Sequence, residues 1–112
     1  MMSKKNWARV AALLWTAVVS TGAWSAETVA MPDAAKRKAC LGCHTVERKM
    51  IGPAFNDVAA KYAGQADAEQ KVAASILTGS SGQWGAIPMA RNAAVKPEEA
   101  AELAHWIMSL QK

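Results

Sequence analysis

Apolar positions along the chain recur at helical spacing, and no stretch shows a convincing alternation of apolar and polar residues. Together with residues that commonly begin and end helices, the pattern predicts four of them: Pro32 or Asp33 to Cys40, Val58 to Ala63, a third after Asp67 that runs to Thr78, and a last one from Pro97. The sequence therefore predicts an all-α fold.

Two of these helices carry capping signals in the sequence. Asn56 or Asp57 can cap the second helix with a side-chain oxygen. Asp67 and Gln70 resemble a capping box for the third helix, which should stop at Gly79. We expect these side chains to bind the free backbone N–H groups of the first helical turns.

The last helix is amphipathic. Its apolar face consists of Leu103, Trp106, Ile107 and Leu110, and its polar stripe of Glu98, Glu102, His105 and Ser109. We expect the apolar face to enter the core. The position of His105 on the polar stripe predicts a solvated side chain rather than a metal ligand.

A long segment without helical periodicity, Gly79 to Val95, separates the last two predicted helices. Loops of this length in a small domain are usually functional or disordered. The large apolar residues Trp84, Ile87 and Met89 argue against disorder. The loop is therefore a candidate for binding a ligand.

The start of the chain is typical of a secretory signal peptide. Basic residues precede an apolar run at 10–19, and Ala23 and Ser25 are small residues at the −3 and −1 positions of a cleavage site. We predict a signal peptide over residues 1–25 and a single domain over residues 26–112. An uncleaved membrane anchor is the alternative.

Removal of this segment changes the charge of the protein. The full chain of 112 residues has a formal net charge of +4. Cleavage removes three of the 13 basic residues and none of the nine acidic ones, which leaves +1. The mature protein therefore lacks the strong positive charge of a nucleic-acid-binding domain.

The strongest chemical signal is Cys40-Leu41-Gly42-Cys43-His44. C-x-x-C-H is the attachment motif of a c-type haem, in which two thiols add to the porphyrin vinyl groups and the histidine binds the iron. A thioredoxin-like redox pair, a zinc site and a structural disulfide are alternatives. No βαβ pattern supports the first, zinc would require a fourth ligand such as His105, and so short a disulfide would be strained.

A haem iron in an electron carrier needs a second axial ligand. The candidates are His105, Met31, Met50, Met89 and Met108. Met89 lies 45 residues beyond His44 and follows Pro88 in the long loop, which is long enough to cross the ring. We therefore predict His44 and Met89 as the two iron ligands.

At this point the chain resembles a family, the short bacterial class I cytochromes c that donate electrons to periplasmic nitrite reductases and peroxidases. The shared motifs are Cys40-x-x-Cys43-His44, Ile51-Gly52-Pro53, Gly82-x-Trp84-Gly85-x-Ile87-Pro88-Met89 and an aromatic at Trp106. The resemblance implies a cytochrome c fold of about four short helices around one covalently bound haem c.

The resemblance also implies roles around the haem. The carbonyl of Pro53 would accept the Nδ1–H of His44, the indole of Trp84 would donate to a haem propionate, Asn92 would hydrogen-bond near Met89, and Trp106 would pack against the first helix. Two positions depart from the family. Relatives often carry Arg or Lys near the propionates where this chain has Ser75, and an aromatic where it has Ala35.

The function expected from these features is one-electron transfer in the periplasm, not enzyme catalysis. The carrier would be a soluble monomer that donates to terminal reductases such as nitrite reductase, peroxidase or oxidase. Its partner surface would lie at the haem edge near Arg48, Lys49, Arg91, Gly52 and Ala90. The alternatives are a haem enzyme or gas sensor with an open iron, and the haem subunit of a larger complex.

Overall fold

A computed structural model describes residue 22 and residues 29–111. Helix α1 spans Asp33–Arg37, α2 Phe55–Tyr62, α3 Ala68–Thr78 and α4 Pro97–Ser109, and a short 3-10 turn covers Cys40–Gly42. The described residues form no strand, only an isolated antiparallel bridge between Ser80 and Met89. The prediction of an all-α fold is confirmed.

Helix α4 lies at the centre of the packing. It contacts α3, α2 and α1. Leu103 is 1% exposed and Trp106 2% exposed, as expected for its apolar face, while His105 is exposed. The ring of Trp106 meets Phe55 of α2 edge to face, with centroids 5.2 Å apart.

The first two helices differ from the predicted boundaries. Helix α1 ends at Arg37 rather than Cys40, because Ala39 adopts a left-handed conformation with φ +61°. Helix α2 begins at Phe55, three residues before the predicted start, with Ala54 as its N-cap. Capping by Asn56 or Asp57 is therefore wrong, since both lie inside the helix.

Helices α3 and α4 begin and end close to where the sequence predicts, but their caps differ. Asp67 makes no capping hydrogen bond, and its carboxylate pairs with Lys71 at 3.3 Å. Asp67 is thus the N-cap residue of α3 as predicted, but the predicted capping box is wrong. The first turn of α4 is capped instead, because Glu99 Oε2 accepts the backbone N–H of Lys96 at 2.9 Å.

The N-terminal predictions fall largely outside the described residues. The predicted signal peptide, residues 1–25, lies outside them except for Gly22. Among the residues that the structure does describe, no helix has the length and apolar character needed to cross a membrane.

Candidate haem site

The cysteine motif forms a tight turn. Ala39 turns the backbone into the 3-10 turn Cys40–Gly42, and the N–H of His44 donates to the carbonyl of Cys40 at 3.0 Å. Both cysteines are unpaired, Cys40 half-buried and Cys43 exposed. Burial raises the pKa of the Cys40 thiol, so the unreacted side chain is held as the neutral thiol at neutral pH.

Three neighbours hold the imidazole of His44. Its Nδ1 donates to the carbonyl oxygen of Pro53 at 2.8 Å, as the family resemblance implies. Phe55 stacks on the ring with centroids 5.0 Å apart and an angle of 18°. A Cβ at Gly52 would lie only 2.7 Å from Nδ1, so this position has no room for a side chain. Nε2 is therefore left free to bind a metal.

The segment that supplies these neighbours is fixed to the motif by backbone hydrogen bonds. The N–H of Gly52 donates to the carbonyl of Cys43 at 2.8 Å, and the N–H of Phe55 donates to the carbonyl of Thr45 at 2.9 Å. These bonds place the Gly-Pro sequence and the first residue of α2 directly beside the His44 ring.

A cavity of about 460 Å³ opens in front of this imidazole. It is lined by every residue that the sequence predicts for the haem site: Cys40, Cys43, His44, Pro53, Trp84, Met89 and Asn92. Much of the remaining wall is apolar and comes from α2, α3 and α4, including Val58, Ile76 and Leu103.

The other candidate iron ligands lie away from the cavity wall. Met50 is 48% exposed, and Met108 is buried in the core. Met31 is half-buried and packs against the core. His105 is exposed, and its Nδ1 lies 2.9 Å from Oε1 of Glu69 on α3. His105 does not line the cavity, and its exposure confirms the prediction of a solvated side chain.

The backbone of Met89 is anchored to the start of its own loop. The N–H groups of Ser80 and Met89 donate to each other's carbonyl oxygens at 3.0 and 2.8 Å. Gly79 precedes this bridge with φ +82°, and a Cβ there would lie 2.7 Å from the carbonyl oxygen of Met89. Glycine is therefore required at this position both for its backbone conformation and for space.

Asn92 fixes the end of this loop rather than contacting the Met89 side chain. Its Nδ2 donates to the carbonyl of Lys38 at 2.7 Å, and its backbone N–H donates to the carbonyl of Ile76 at 3.0 Å. One residue thus joins the loop to the end of α1 and to α3. Asn92 Oδ1 also accepts the backbone N–H of Ala94 at 3.2 Å, and its expected role near Met89 stays a prediction.

Further residues of the site were not anticipated from the sequence. Phe55 stacks on the His44 ring. Lys61 of α2 contacts Gln83 and Trp84 of the loop. The only available signal for Phe55 was its place two residues after Pro53. No sequence signal indicated Lys61 or Gln83, because their contacts join residues more than 20 positions apart.

The chemistry of this cavity fits haem c. Two thiols, a free imidazole nitrogen and a thioether are the donors that covalent attachment and His/Met ligation require. The apolar wall suits a large flat macrocycle. These side chains meet at one cavity although they are spread from residue 40 to residue 92.

Comparison with known proteins places the chain in a family. A family model described as Cytochrome c matches residues 33–111. Cytochrome c-551 of Pseudomonas denitrificans is 57% identical over 76 residues, 68% of this chain and 92% of that protein. Cytochrome c-551 of Pseudomonas aeruginosa is 44% identical over 105 residues, 94% of this chain and 97% of that protein.

A solved structure agrees with these relatives. The crystal structure of wild-type Nitrosomonas europaea cytochrome c552 is 49% identical to this chain, with a TM-score of 0.69, and the match covers 70% of this chain and 98% of that one. The fold predicted from the sequence, a cytochrome c fold, is therefore confirmed. The chain belongs to the cytochrome c family: it is a small electron carrier rather than an enzyme, and its cofactor is covalently bound haem c.

Proposed function

We propose that Cys40 and Cys43 attach the haem, that His44 and Met89 are its axial iron ligands, and that the protein carries single electrons in the periplasm to a terminal reductase. The observation that supports the ligand pair most directly is that His44 and Met89 line one cavity. The other candidate ligands lie in the core, in solvent or in an ion pair.

The cofactor supplies a one-electron iron couple whose potential is raised by a methionine ligand. The protein supports this couple by fixing its ligands. Pro53 and Phe55 hold the His44 ring in one orientation, and the bridge to Ser80 holds the backbone of Met89. If His44 and Met89 both bind the iron, no coordination position would remain for a substrate. Electron transfer is therefore the function that this arrangement supports.

The remaining cavity residues bind the edges of the cofactor. The indole N–H of Trp84 would donate to a propionate, which is a suitable partner for the polar group of a half-buried tryptophan. Asn92 holds the Met89 loop against Lys38 and Ile76. The apolar wall excludes water and lowers the dielectric constant around the redox centre.

The ligand pair is tested by spectroscopy of the haem-loaded protein. The ferric wild type should show the weak far-red sulfur-to-iron charge-transfer band. Met89→Ala should abolish this band, lower the potential and open the iron to cyanide or carbon monoxide. The matched controls are Met50→Leu, Met108→Leu and His105→Gln, each of which should keep the band.

Other outcomes of this experiment support different functions. Loss of the band in Met50→Leu but not in Met89→Ala would contradict the assignment of the loop methionine. A wild type that lacks the band and binds carbon monoxide would indicate an open iron, as in a haem enzyme or gas sensor. A larger assembly on gel filtration of periplasmic extract would indicate a subunit of a complex rather than a free monomer.

The location is part of the proposal and rests on the sequence of residues 1–25. We expect export, cleavage after Ser25 and a soluble mature protein that begins at Ala26. Intact mass spectrometry of the protein from a periplasmic fraction measures the new N-terminus. A protein that retains Met1 and sediments with membranes would be anchored instead.

The proposed partner surface adjoins the haem cavity, whose lining includes Gly52, Ala90 and Arg91. Arg48, Lys49, Arg91 and Ala90 are exposed and Gly52 is half-buried, and the apolar side chains Ile51 and Ile87 beside them are 59% and 65% exposed. An exposed apolar patch with basic residues around it suits transient docking of an acidic redox protein.

Charge reversal tests this surface. Arg91→Glu should slow electron transfer to an acidic acceptor at low salt, and the difference from wild type should shrink as salt is added. Lys36→Glu makes the same charge change at an exposed position on α1, outside the proposed surface. Equal slowing in both variants would show that net charge, and not this surface, determines the rate.

A further inference from the structure

One edge of the haem cavity is held by a cluster of side chains that joins α2 to the long loop. The ammonium of Lys61 donates to the carbonyl of Gln83 at 2.9 Å and lies 4.4 Å from the ring centroid of Trp84. The hydroxyl of Tyr62 donates to Oε1 of Gln83 at 2.7 Å. Tyr62, Gln83 and Trp84 line the cavity, so the Lys61 charge is held beside its wall.

The neighbouring edge of α3 supplies no charge. Ser75 lines the cavity from α3, and its hydroxyl donates to the carbonyl of Lys71 at 3.1 Å. Lys71 itself is exposed and is bound to Gln65 and Asp67. A haem carboxylate on this side would therefore find no positive charge on α3.

The charged residues among those that line the cavity are Lys38 and Arg91. Lys38 pairs with Glu99 at 3.7 Å, and Arg91 follows Met89 in a different part of the loop from Trp84. On α2, the charged or titratable groups near the Trp84 edge are Lys61, Tyr62 and, one turn earlier, the exposed Asp57. Lys61 is the one of these that contacts Trp84.

We propose that Lys61 supplies the counter-charge for the haem propionate at Trp84, since α3 offers no cation to this side of the cavity. The ammonium has three N–H groups and uses one on Gln83, which leaves two for a carboxylate. Such a charge-assisted hydrogen bond is stronger than a neutral one and favours the ionised acid. This proposal rests on the proposed role of Trp84 in binding a propionate.

The test is a pH titration of the midpoint potential of the haem-loaded protein, in which propionate ionisation appears as a change of slope. In Lys61→Gln this ionisation should move to higher pH by about one unit, since a nearby opposite charge typically lowers an acid's pKa by about one to three units. Lys61→Arg should restore the wild-type profile. Lys71→Gln removes an equal charge from α3 and should not move it.

Two comparisons make the result decisive. A wild-type profile in Lys61→Gln, with a shifted profile in Arg91→Gln, would overturn the proposal and assign the counter-charge to Arg91. Trp84→Phe tests separately whether Trp84 binds the propionate, which is the premise of the proposal for Lys61. If Trp84→Phe shifts the profile and Lys61→Gln does not, only the role of Lys61 is wrong. If neither variant shifts it, the propionate is not at Trp84, and that part of the proposed function fails as well.

Discussion

The two sides of the haem cavity are held by different kinds of contact. The His44 wall, residues 40–56, is tied together by hydrogen bonds over short sequence distances, such as the nine positions between His44 and Pro53. The Met89 wall, residues 79–95, is tied to distant parts of the chain. Gln83 bonds to Tyr62 over 21 positions, and Asn92 to Lys38 over 54.

Because of this difference, His44 and Met89 depend on different parts of the fold. Closing a short loop loses less chain entropy than closing a long one, so the His44 wall depends mainly on its own segment. The Met89 wall can form only when helices α1, α2 and α3 are folded and in position. Disturbance of the fold should therefore release Met89 before His44. Of the four changes that follow, the first removes the haem itself and the other three test that order.

Loss of the cofactor should have the largest effect, because the haem that both the His44 wall and the Met89 wall hold is then missing. In Cys40→Ala with Cys43→Ala, a cavity of about 460 Å³ is left without its occupant. Without the haem the apolar residues of its wall lose the surface that they pack against, and the total stability of a domain is only about 5–15 kcal/mol. We expect a largely unfolded, protease-sensitive chain by circular dichroism. A cooperative, helix-rich apoprotein would contradict this.

Gly79→Ala should act next most strongly, and on the Met89 wall alone. The new methyl group would meet backbone atoms of Met89 and Arg91 in a residue with φ +82°. We expect a loss of about 2–4 kcal/mol in the free energy of unfolding and a weakened far-red band. Gly64→Ala is the matched control, since φ is +77° there but nothing lies within 4 Å. Equal effects in both would mean that backbone strain, and not contact with Met89, is responsible.

Gly52→Ala should disturb the His44 wall to a smaller extent. The methyl group would press on the imidazole, which can tilt within its segment, so we expect a loss of about 1–3 kcal/mol with the far-red band retained. Ile51→Ala, which truncates the exposed neighbour, should leave the imidazole undisturbed. If Gly52→Ala weakens the band as much as Gly79→Ala does, the two walls are not independent.

Acid should weaken the Met89 wall by a smaller amount through Glu99. The backbone N–H of Lys96 first, and then Lys38 and other cations, hold the pKa of this carboxyl below its usual value. The contribution of Glu99 to the free energy of unfolding is therefore complete above the unfolded-state pKa of about 4.3. It is lost as the pH falls through the lower pKa of the folded state. Lys38, the partner of Glu99, also accepts the Asn92 hydrogen bond.

The measurement for Glu99 is the melting temperature and the far-red band between pH 6 and pH 3. Glu99→Gln should lower the melting temperature slightly at pH 6 and flatten its decline in acid. Glu98→Gln, at an exposed position in the same helical turn, should follow the wild type. An unchanged acid profile in Glu99→Gln would show that the cap does not contribute to acid stability.

The sequence predicts the second half of the fold better than the first. Gly79 and Pro97 restrict the backbone by their own chemistry, so the end of α3 and the start of α4 lie where expected. Helix α1 ends at a left-handed alanine and α2 is capped by Ala54. Alanine carries no signal for either role, because packing of the surrounding segment imposes these conformations.

The same distinction applies to the site. The C-x-x-C-H motif and the loop with Met89 are recognisable because covalent attachment and iron ligation require particular residue types. Gly52 was recognised as part of a motif, yet its contact with the His44 ring emerges only in three dimensions. The Lys61 and Gln83 contacts depend on how α2 meets the loop, which no local pattern encodes.

Small side chains where the terminal helices meet have an evolutionary consequence. Ala34 and Ala35 on α1 are 3% and 0% exposed, and Ala100 and Ala104 on α4, which contacts α1, are both 0% exposed. Buried alanines lose no rotamer freedom, but they also cannot rearrange to admit a larger neighbour. The facing surfaces of α1 and α4 must therefore change together, so a variant with an aromatic residue at position 35 will need a compensating change on α4.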